Sequence, residues 1–500
     1  MSQAVENYFS LAPLTAVLIS LAAAILIVLS SHRPNLRETW TILAALGKFA
    51  VVSSMLPAVL CGLHPGITLF DVAPGVALAL KADPLGLSFA LSASLLWIFT
   101  SFYSIGYMRA LKEHNQTRYF ASFAACLSAT MGIAFAANLL TFLIFYEMLT
   151  IATYPLVIHA ESAAAVSAGR KYLAFLLTGG VALLLAVGLT QMMAGTLNFS
   201  AGGFLSGTIG QARLLALFVL FLVGVGTKAG LIPLHSWLPS AMIAPTPVSA
   251  LLHAVAVVKA GVFGFARVTG FVFGPALAAD IGAMTLTAVA ASATIVIASL
   301  LAMAQDNLKR RLAYSTVAHL SYIILGTALL APAAWLGGLF YIAAHAAMKI
   351  TLFFCAGAIY VKTGRENVSE LDGIGKQMPL TMAAFAIGSL GLAGLPPVGG
   401  FISKWFLFQG AVESGQLMLL AALLPSGLLS AGYLFPIVVR AFFKSSNDFN
   451  KFDDAPPLIV IPLLSTAALA LLLGICPDGI FHFYSLCSEA VMNVLKGVVF

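Results

Sequence analysis

The chain has 500 residues, 61% of them hydrophobic and only 9% charged, with a net charge of +7. Soluble domains carry about 25% charged residues, so this composition excludes a water-soluble globular class. Apolar runs of roughly 18 or more residues recur along the whole length and specify an all-α polytopic membrane protein. The alternating pattern of a membrane β-barrel is absent.

The runs predict about fourteen transmembrane helices in chain order. They fall near 11–31, 39–62, 84–108, 118–137, 138–160, 170–194, 211–238, 243–270, 277–303, 309–331, 334–360, 379–408, 416–443 and 457–476. The first twenty residues lack a basic region and a small-residue cleavage site, so no removable leader is expected. The closing stretch FHFYSLCSEAVMNVLKGVVF reads as a short interfacial helix rather than a fifteenth span. Five scattered cysteines, with no CxxC, read as apolar filler.

The basic residues support this count. Sixteen of the 25 Lys and Arg fall in odd-numbered loops, among them Arg33, Arg109, Arg118, Lys171, Lys309, Arg365 and Arg440. Four fall in even-numbered loops or the tail: Lys81, Arg213, Arg267 and Lys496. The positive-inside rule then puts the odd loops in the cytoplasm, both termini on the outer side, and the chain in a cytoplasmic (inner) membrane. The charge gives no reason to expect nucleic acid.

Five lysines lie within spans: Lys48, Lys228, Lys259, Lys349 and Lys404. Among 18 acidic residues, Glu147 alone is deep in one. A charge at the bilayer centre costs about 2.5–3.5 kcal/mol, so these groups must face protein or water. Lys48, ten residues into its span, can snorkel to the cytoplasmic headgroups. The others mark an ion or proton pathway, or else a set of static ion pairs.

Helix breaks accompany the lysines. The seventh span has Pro233 and Pro239 after Lys228, and the eighth opens on Pro245 and Pro247. The twelfth has Pro396, Pro397, Gly399 and Gly400 before Lys404. Prolines inside membrane helices survive where protein or water satisfies the freed backbone groups. Two interrupted spans, five apart in order, imply two inverted five-helix repeats. The predicted division is a three-helix segment 1–117, a first repeat 118–270, an inverted second repeat 277–443, and residues 444–500 carrying the last helix and the tail. Histidines occupy the intervals: His235 in the first break, His253 six residues before Lys259, His319 mid-span, and His345 one helical turn from Lys349. In series, they read as proton stops.

The segments FLIFYEMLTIATYPLV, VGTKAGLIPLHSWLPSAMIAPTPVSALLHAVAVVKAG, AQDNLKRRLAYSTVAHLSYIILG, HAAMKITLFFCAGAIY and GLAGLPPVGGFISKW resemble the antiporter-like membrane subunits. That family is shared by respiratory complex I, membrane-bound hydrogenases and Mrp-type cation/proton antiporters. The resemblance covers roughly residues 70–445. It implies that Glu147 is the family's helix-5 glutamate, Lys228 and Lys259 its helix-7 and helix-8 lysines, and Lys404 its helix-12 lysine near the exit. It implies that His253, His319 and His345 are connecting positions on a polar axis. The middle complex I member carries glutamate on helix 12, so Lys404 favours an Mrp D-like chain or a hydrogenase-type relative.

The expected function is proton translocation along the Glu/Lys/His axis, coupled to monovalent cation antiport (Na+ or K+) or to a redox partner module. Other membrane subunits are the expected partners. Drawing Glu147 away from Lys228 would release the Lys228 proton inward, toward His253 and Lys259. The alternatives are a non-conducting scaffold with partner subunits translocating, and a free-standing symporter for a small solute. No nucleotide loop, zinc motif or cysteine cluster is present in the sequence, so no catalytic centre, cofactor or metal is expected.

Overall fold

The computed structural model describes residues 6–416, 420–446, 448–449, 451–479 and 481–496; the side chains of 6, 252, 253, 420 and 421 lie outside that description. Helices dominate. The N-terminal part holds α1 (Ala12–Leu29), α2 (Pro34–Ser54), α3 (Leu56–Leu60), α4 (Pro84–Ala110) and α5 (Gln116–Ala134). Then come α6 (Leu139–Val157), α7 (Ala163–Ala194), α8 (Gln211–Ala229), α9 (Trp237–Ser240), α10 (Thr246–Ala250) and α11 (Val257–Arg267). The second half holds α12 (Pro275–Asp280), α13 (Ala283–Met303), α14 (Leu308–Ala328), α15 (Pro332–Thr363), α16 (Pro379–Ala393), α17 (Gly399–Glu413), α18 (Leu420–Phe443), α19 (Pro457–Ile475) and α20 (Phe483–Val494). Among the described residues, ten helical stretches are long and apolar enough to cross a membrane. The protein is an integral, multi-pass membrane protein.

Local chemistry sets the helix starts. Asp83 accepts from the Gly86 N–H at 2.8 Å and caps α4, with Pro84 at its first position. Asn138 caps α6 through the Thr141 N–H, Ser162 caps α7, and Asn307 caps α14. The sequence also holds a small sheet that apolar runs do not reveal. Strand β1 (Glu6–Phe9) runs parallel to β2 (Leu63–Ala73), which forms a hairpin with β3 (Val76–Lys81). Strand β1 precedes the first span and β2 and β3 lie between the second and third, so the membrane part remains all-helical.

The connections sort onto two faces. On one, Arg109 bonds Asn35 and Glu38, Arg37 bonds Gln116, and Arg118 bonds Glu161. The same face continues with Lys171 to Ser240, Lys309 to the Ala244 carbonyl, Ser369 to Asp306, and Arg365 to Asp448. On the other, Lys81 bonds the Phe135 carbonyl, Asn138 pairs with Asn198, and Ser200 bonds the Phe271 carbonyl. Strand β1 joins that second face through β2, and α20 packs on α4 there. Both described termini therefore share the face of the even-numbered connections.

One local device occurs twice, once on each face. Asn138 and Asn198 form an isolated bridge, and so do Asn307 and Asn367. In each case the first Asn caps a helix and the second follows a long helix closed by a left-handed glycine, Gly195 or Gly364. All three positions shift by the same number of residues between the two occurrences.

Helix α15 is the axis of the fold. Its most apolar window is wholly buried, against a third for α1. It contacts α14, α16, α17, α19 and α4. A helix enclosed on all sides can carry ionisable side chains without exposing them to lipid.

Candidate functional site

Both interrupted helices end in the same way. Helix α8 closes at Gly230 (φ 73°) and α16 at Gly394 (φ 89°), a backbone conformation that suits glycine. The Leu231 N–H reaches back to the Gly226 carbonyl at 3.0 Å, and the Leu395 N–H to the Leu390 carbonyl at 3.0 Å. These are Schellman closures, written in the sequence as Ala-Gly-Leu-x-Pro at 229–233 and 393–397. Beyond the first closure, the Trp237 indole donates to the Thr227 carbonyl at 2.9 Å and Thr294 accepts from the Ile232 N–H at 3.2 Å. The breaks are thus satisfied by protein groups, as irregular backbone at membrane depth requires.

The buried charges sit around these closures. Lys228, in the last turn of α8, donates to the Tyr146 carbonyl and lies 3.3 Å from the Tyr146 ring centroid. Glu147 is the next residue of α6. Its carboxylate rests against Gly180 of α7, where a Cβ would come within 2.4 Å of Oε1. Glu147 and Lys228 interact electrostatically, yet Oε1 is buried without a hydrogen-bond partner and no hydrogen bond joins the two. Their contact is a near miss rather than a closed ion pair.

A second polar group fills the core around α15. Lys259 Nζ lies 2.9 Å from His345 Nδ1. The His345 ring is 5.7 Å from the His319 ring. His319 bonds Tyr341 at 2.6 Å through Nδ1 and Tyr433 at 3.1 Å through Nε2, with Ser430 at 3.4 Å. Its ring stacks on Tyr322 at 5.3 Å, and Lys404 Nζ sits 5.0 Å from the Tyr322 ring. Lys404 donates to the Leu392 and Ala393 carbonyls at 2.7 and 3.2 Å. Those are the last carbonyls of α16, left without helical partners by the break, and they carry the negative end of its dipole. Lys349, one turn from His345, donates to Ser315 at 2.7 Å and to the Leu312 carbonyl at 3.3 Å. His319 thus lies within the electrostatic reach of Lys259, Lys349 and Lys404.

Several expectations change on contact with this geometry. Lys48 does not snorkel: it is fully buried, donates to the Leu127 carbonyl at 2.9 Å and lies 4.7 Å from the Trp97 ring. Inward packing of α2 on α4 and α5 leaves it no route to the headgroups. Arg267 is no loop residue. It is buried in the last turn of α11, bonded to Asp83 through both carboxylate oxygens and enclosed by Phe199, Phe263 and Phe271. Burial opposes the Asp83 charge, but the Arg267 charge and hydrogen bonds outweigh it and hold the carboxyl at about 2.

The break of the eighth span also moves. Pro245 and Pro247 start α10, whereas the irregular backbone is a π-helical turn over Leu251–Val255 before α11. His253 lies in that turn and its side chain is outside the described residues. His235 sits beyond the first closure, half-buried, beside Tyr314 and within reach of Lys171. Pro233 and Pro239 flank it, Pro396 and Pro397 form the second break, and Gly399 and Gly400 open α17. The two break lysines stand on opposite sides of their closures, Lys228 before Gly230 and Lys404 after Gly394.

Sequence reasoning missed the hydroxyls that complete the core group: Tyr322, Tyr341, Tyr433, Ser315 and Ser430. A tyrosine within an apolar run counts as hydrophobic, so the only signal was its repeated presence beside histidines.

Residues 136–430 match the membrane domain model described as NADH:quinone oxidoreductase/Mrp antiporter. The chain belongs to this antiporter-like family. It is 34% identical to NADH-quinone oxidoreductase subunit N of Desulforudis audaxviator over 74% of each chain. It is 26% identical to the D-type chain of the Na(+)/H(+) antiporter of Alkalihalophilus pseudofirmus, over 89% of this chain and 91% of that one. The structure superimposes on a chain of the Mrp complex from a Dietzia species with a TM-score of 0.86, covering 98% of both at 22% identity. The antiporter-like fold therefore extends beyond the matched domain to nearly the whole chain.

Proposed function

We propose that this antiporter-like chain moves protons sideways through the membrane, from the Glu147–Lys228 pair to Lys404. One observation carries the reading: Lys259, His345, His319, Tyr322 and Lys404 form a file with steps of 2.9, 5.7, 5.3 and 5.0 Å. The first step is a direct hydrogen bond. The longer steps are ring contacts rather than hydrogen bonds, so transfer along them requires rotation of His345, His319 and Tyr322 to bring their nitrogen and oxygen atoms together. Lys349 and its partner Ser315 branch from this file beside His345. His235 is the access point toward Lys171, and His253 is the link between Lys228 and Lys259.

The open Glu147–Lys228 arrangement supports a switching role. A carboxylate close to an ammonium favours its protonated form, and withdrawal favours release. One pK unit corresponds to about 1.4 kcal/mol, so modest movement of Glu147 is enough to load or empty Lys228.

The repeated Asn bridges on opposite faces support two inverted repeats, 118–270 and 277–443, within fourteen spans. The concentration of basic residues on the odd-loop face supports a cytoplasmic location for that face, and an outer location for both termini, in the inner membrane. Lys404 and the near end-to-end match with the Na(+)/H(+) antiporter chain support an Mrp D-like or hydrogenase-type role. Its partners would be other membrane subunits, with Na+ or K+ exchange or a redox module supplying the driving force.

Glu147→Gln, Lys228→Ala and Lys404→Ala test this in the assembled complex. Each is expected to lower proton translocation at least about tenfold, equivalent to 1.4 kcal/mol in the limiting step, with assembly retained. Near-normal translocation in all three contradicts the reading and leaves a scaffold.

A further inference from the structure

A second cluster of titratable groups lies outside the polar file, where α4 meets α5 and α6 ends. Glu113 Oε2 is 3.8 Å from His114 Nδ1 and 3.9 Å from His159 Nε2. The two imidazoles stack at 4.9 Å, and one ligand atom from each of the three residues lies within 4.8 Å of the others. His159 is fully buried, and neither of its ring nitrogens has a hydrogen-bond partner. Beyond a loose approach to the His114 backbone and the Glu113 carboxylate, this buried imidazole lacks a well-formed hydrogen bond to replace the water it had when exposed. His159 Nε2 lies 3.9 Å from the Glu113 carboxylate with His114 stacked alongside, and the three side chains together offer a set of metal donors.

We propose that Glu113, His114 and His159 bind a divalent transition-metal ion of the zinc class. Two imidazole nitrogens and one carboxylate oxygen match the donor set such ions prefer, and three protein ligands leave a position for water. Ligand atoms around a tetrahedral ion lie about 3.3 Å apart, from metal–ligand distances of about 2.0–2.1 Å. Reaching this requires the His114 ring to turn out of its stack on His159 so that both lone pairs point at one centre, and exposed His114 and half-exposed Glu113 are free to turn.

The surrounding charges permit an ion. Arg118 is within electrostatic reach of His159, but it pairs with Glu161 at 2.5 Å and donates to the His159 carbonyl at 3.3 Å. Lys309 is within electrostatic reach of Glu113 but donates to the Ala244 carbonyl. Tyr119 packs edge-on against the His159 ring at 5.6 Å and closes the inner side. The bound ion would clamp the α4–α5 turn to the end of α6, about 18 Å along the axis from Glu147.

Zinc chloride binding to the chelator-treated, assembled complex tests the site, with bound metal per complex counted by mass spectrometry after dialysis. The wild-type complex should show one saturable zinc more per copy of this chain than a His114→Ala complex. Glu113→Gln should weaken that zinc at least tenfold. His32→Ala, which removes another exposed histidine, should leave it unchanged. His114 is exposed, so its removal leaves the fold intact even if His159→Gln does not assemble. Equal zinc content in the wild-type and His114→Ala complexes at every concentration overturns the proposal.

Discussion

Lys48 and Lys228 are both buried ammonium groups held by a backbone carbonyl and an aromatic ring, yet their settings differ. Lys228 has Glu147 beside it, whereas Lys48 meets the Leu127 carbonyl and Trp97. Removing a buried charge together with its desolvation cost is often neutral or stabilising. Lys48→Met should therefore leave proton translocation unchanged and shift the midpoint of thermal unfolding in detergent upward or not at all; a translocation defect would place Lys48 on the pathway. Gly394 offers the complementary case. A Cβ there would lie 2.6 Å from Lys404 Cδ, at a φ of +89°. Gly394→Ala should cost roughly 1–2 kcal/mol in backbone strain and push the Lys404 ammonium off its two carbonyls, reducing translocation while the complex still assembles. The sequence displayed all five span lysines, because a charge in an apolar run is conspicuous. Which of them share one polar cluster was not legible, since that depends on how α11, α14 and α15 cross. The tyrosines and serines between them were hidden for a simpler reason: hydroxyls of this kind barely alter the hydropathy of a span.

At the scale of elements, the helix positions follow from apolar run length, and the breaks follow from Gly and Pro. The π-helical turn before α11 was not legible, because no residue type marks it; the prolines ahead of it suggested a break several residues too early. The Asp83–Arg267 pair was missed for a related reason, as Arg267 sits near the end of its predicted span and reads as a loop residue. This pair joins the start of α4 to the end of α11, within a ring of phenylalanines. Asp83→Asn leaves the guanidinium buried without its counter-charge and should cost about 3–5 kcal/mol. Asp83→Leu combined with Arg267→Met should recover most of that loss. Thermal unfolding of the two variants checks the difference, and a double variant no more stable than the single one would refute a paired role. The three-stranded sheet was also invisible to span counting, because its strands are shorter than a membrane helix and lie before the first span and in a connection.

Under the proposed fourteen-span reading, odd connections lie on one face of the molecule and even connections on the other, with α15 enclosed at the centre. If the basic face is cytoplasmic, a cysteine introduced by Glu366→Cys should react with an impermeant maleimide only in inside-out vesicles. Ser206→Cys should react only in intact spheroplasts, and labelling of both from one side would refute the topology. The enclosure of α15 matters most, since it keeps His345, Lys349 and their partners away from lipid, as the proposed proton path requires. The proposed sideways proton transfer depends on the continuity of that core, and His319 is its most connected group, bonded to two tyrosines and within reach of three lysines. Proton uptake into proteoliposomes containing the assembled His319→Leu complex tests it most directly. Uptake reduced at least about tenfold, with the complex's composition unchanged, is the predicted result; uptake at the wild-type rate would show that protons do not travel along this file.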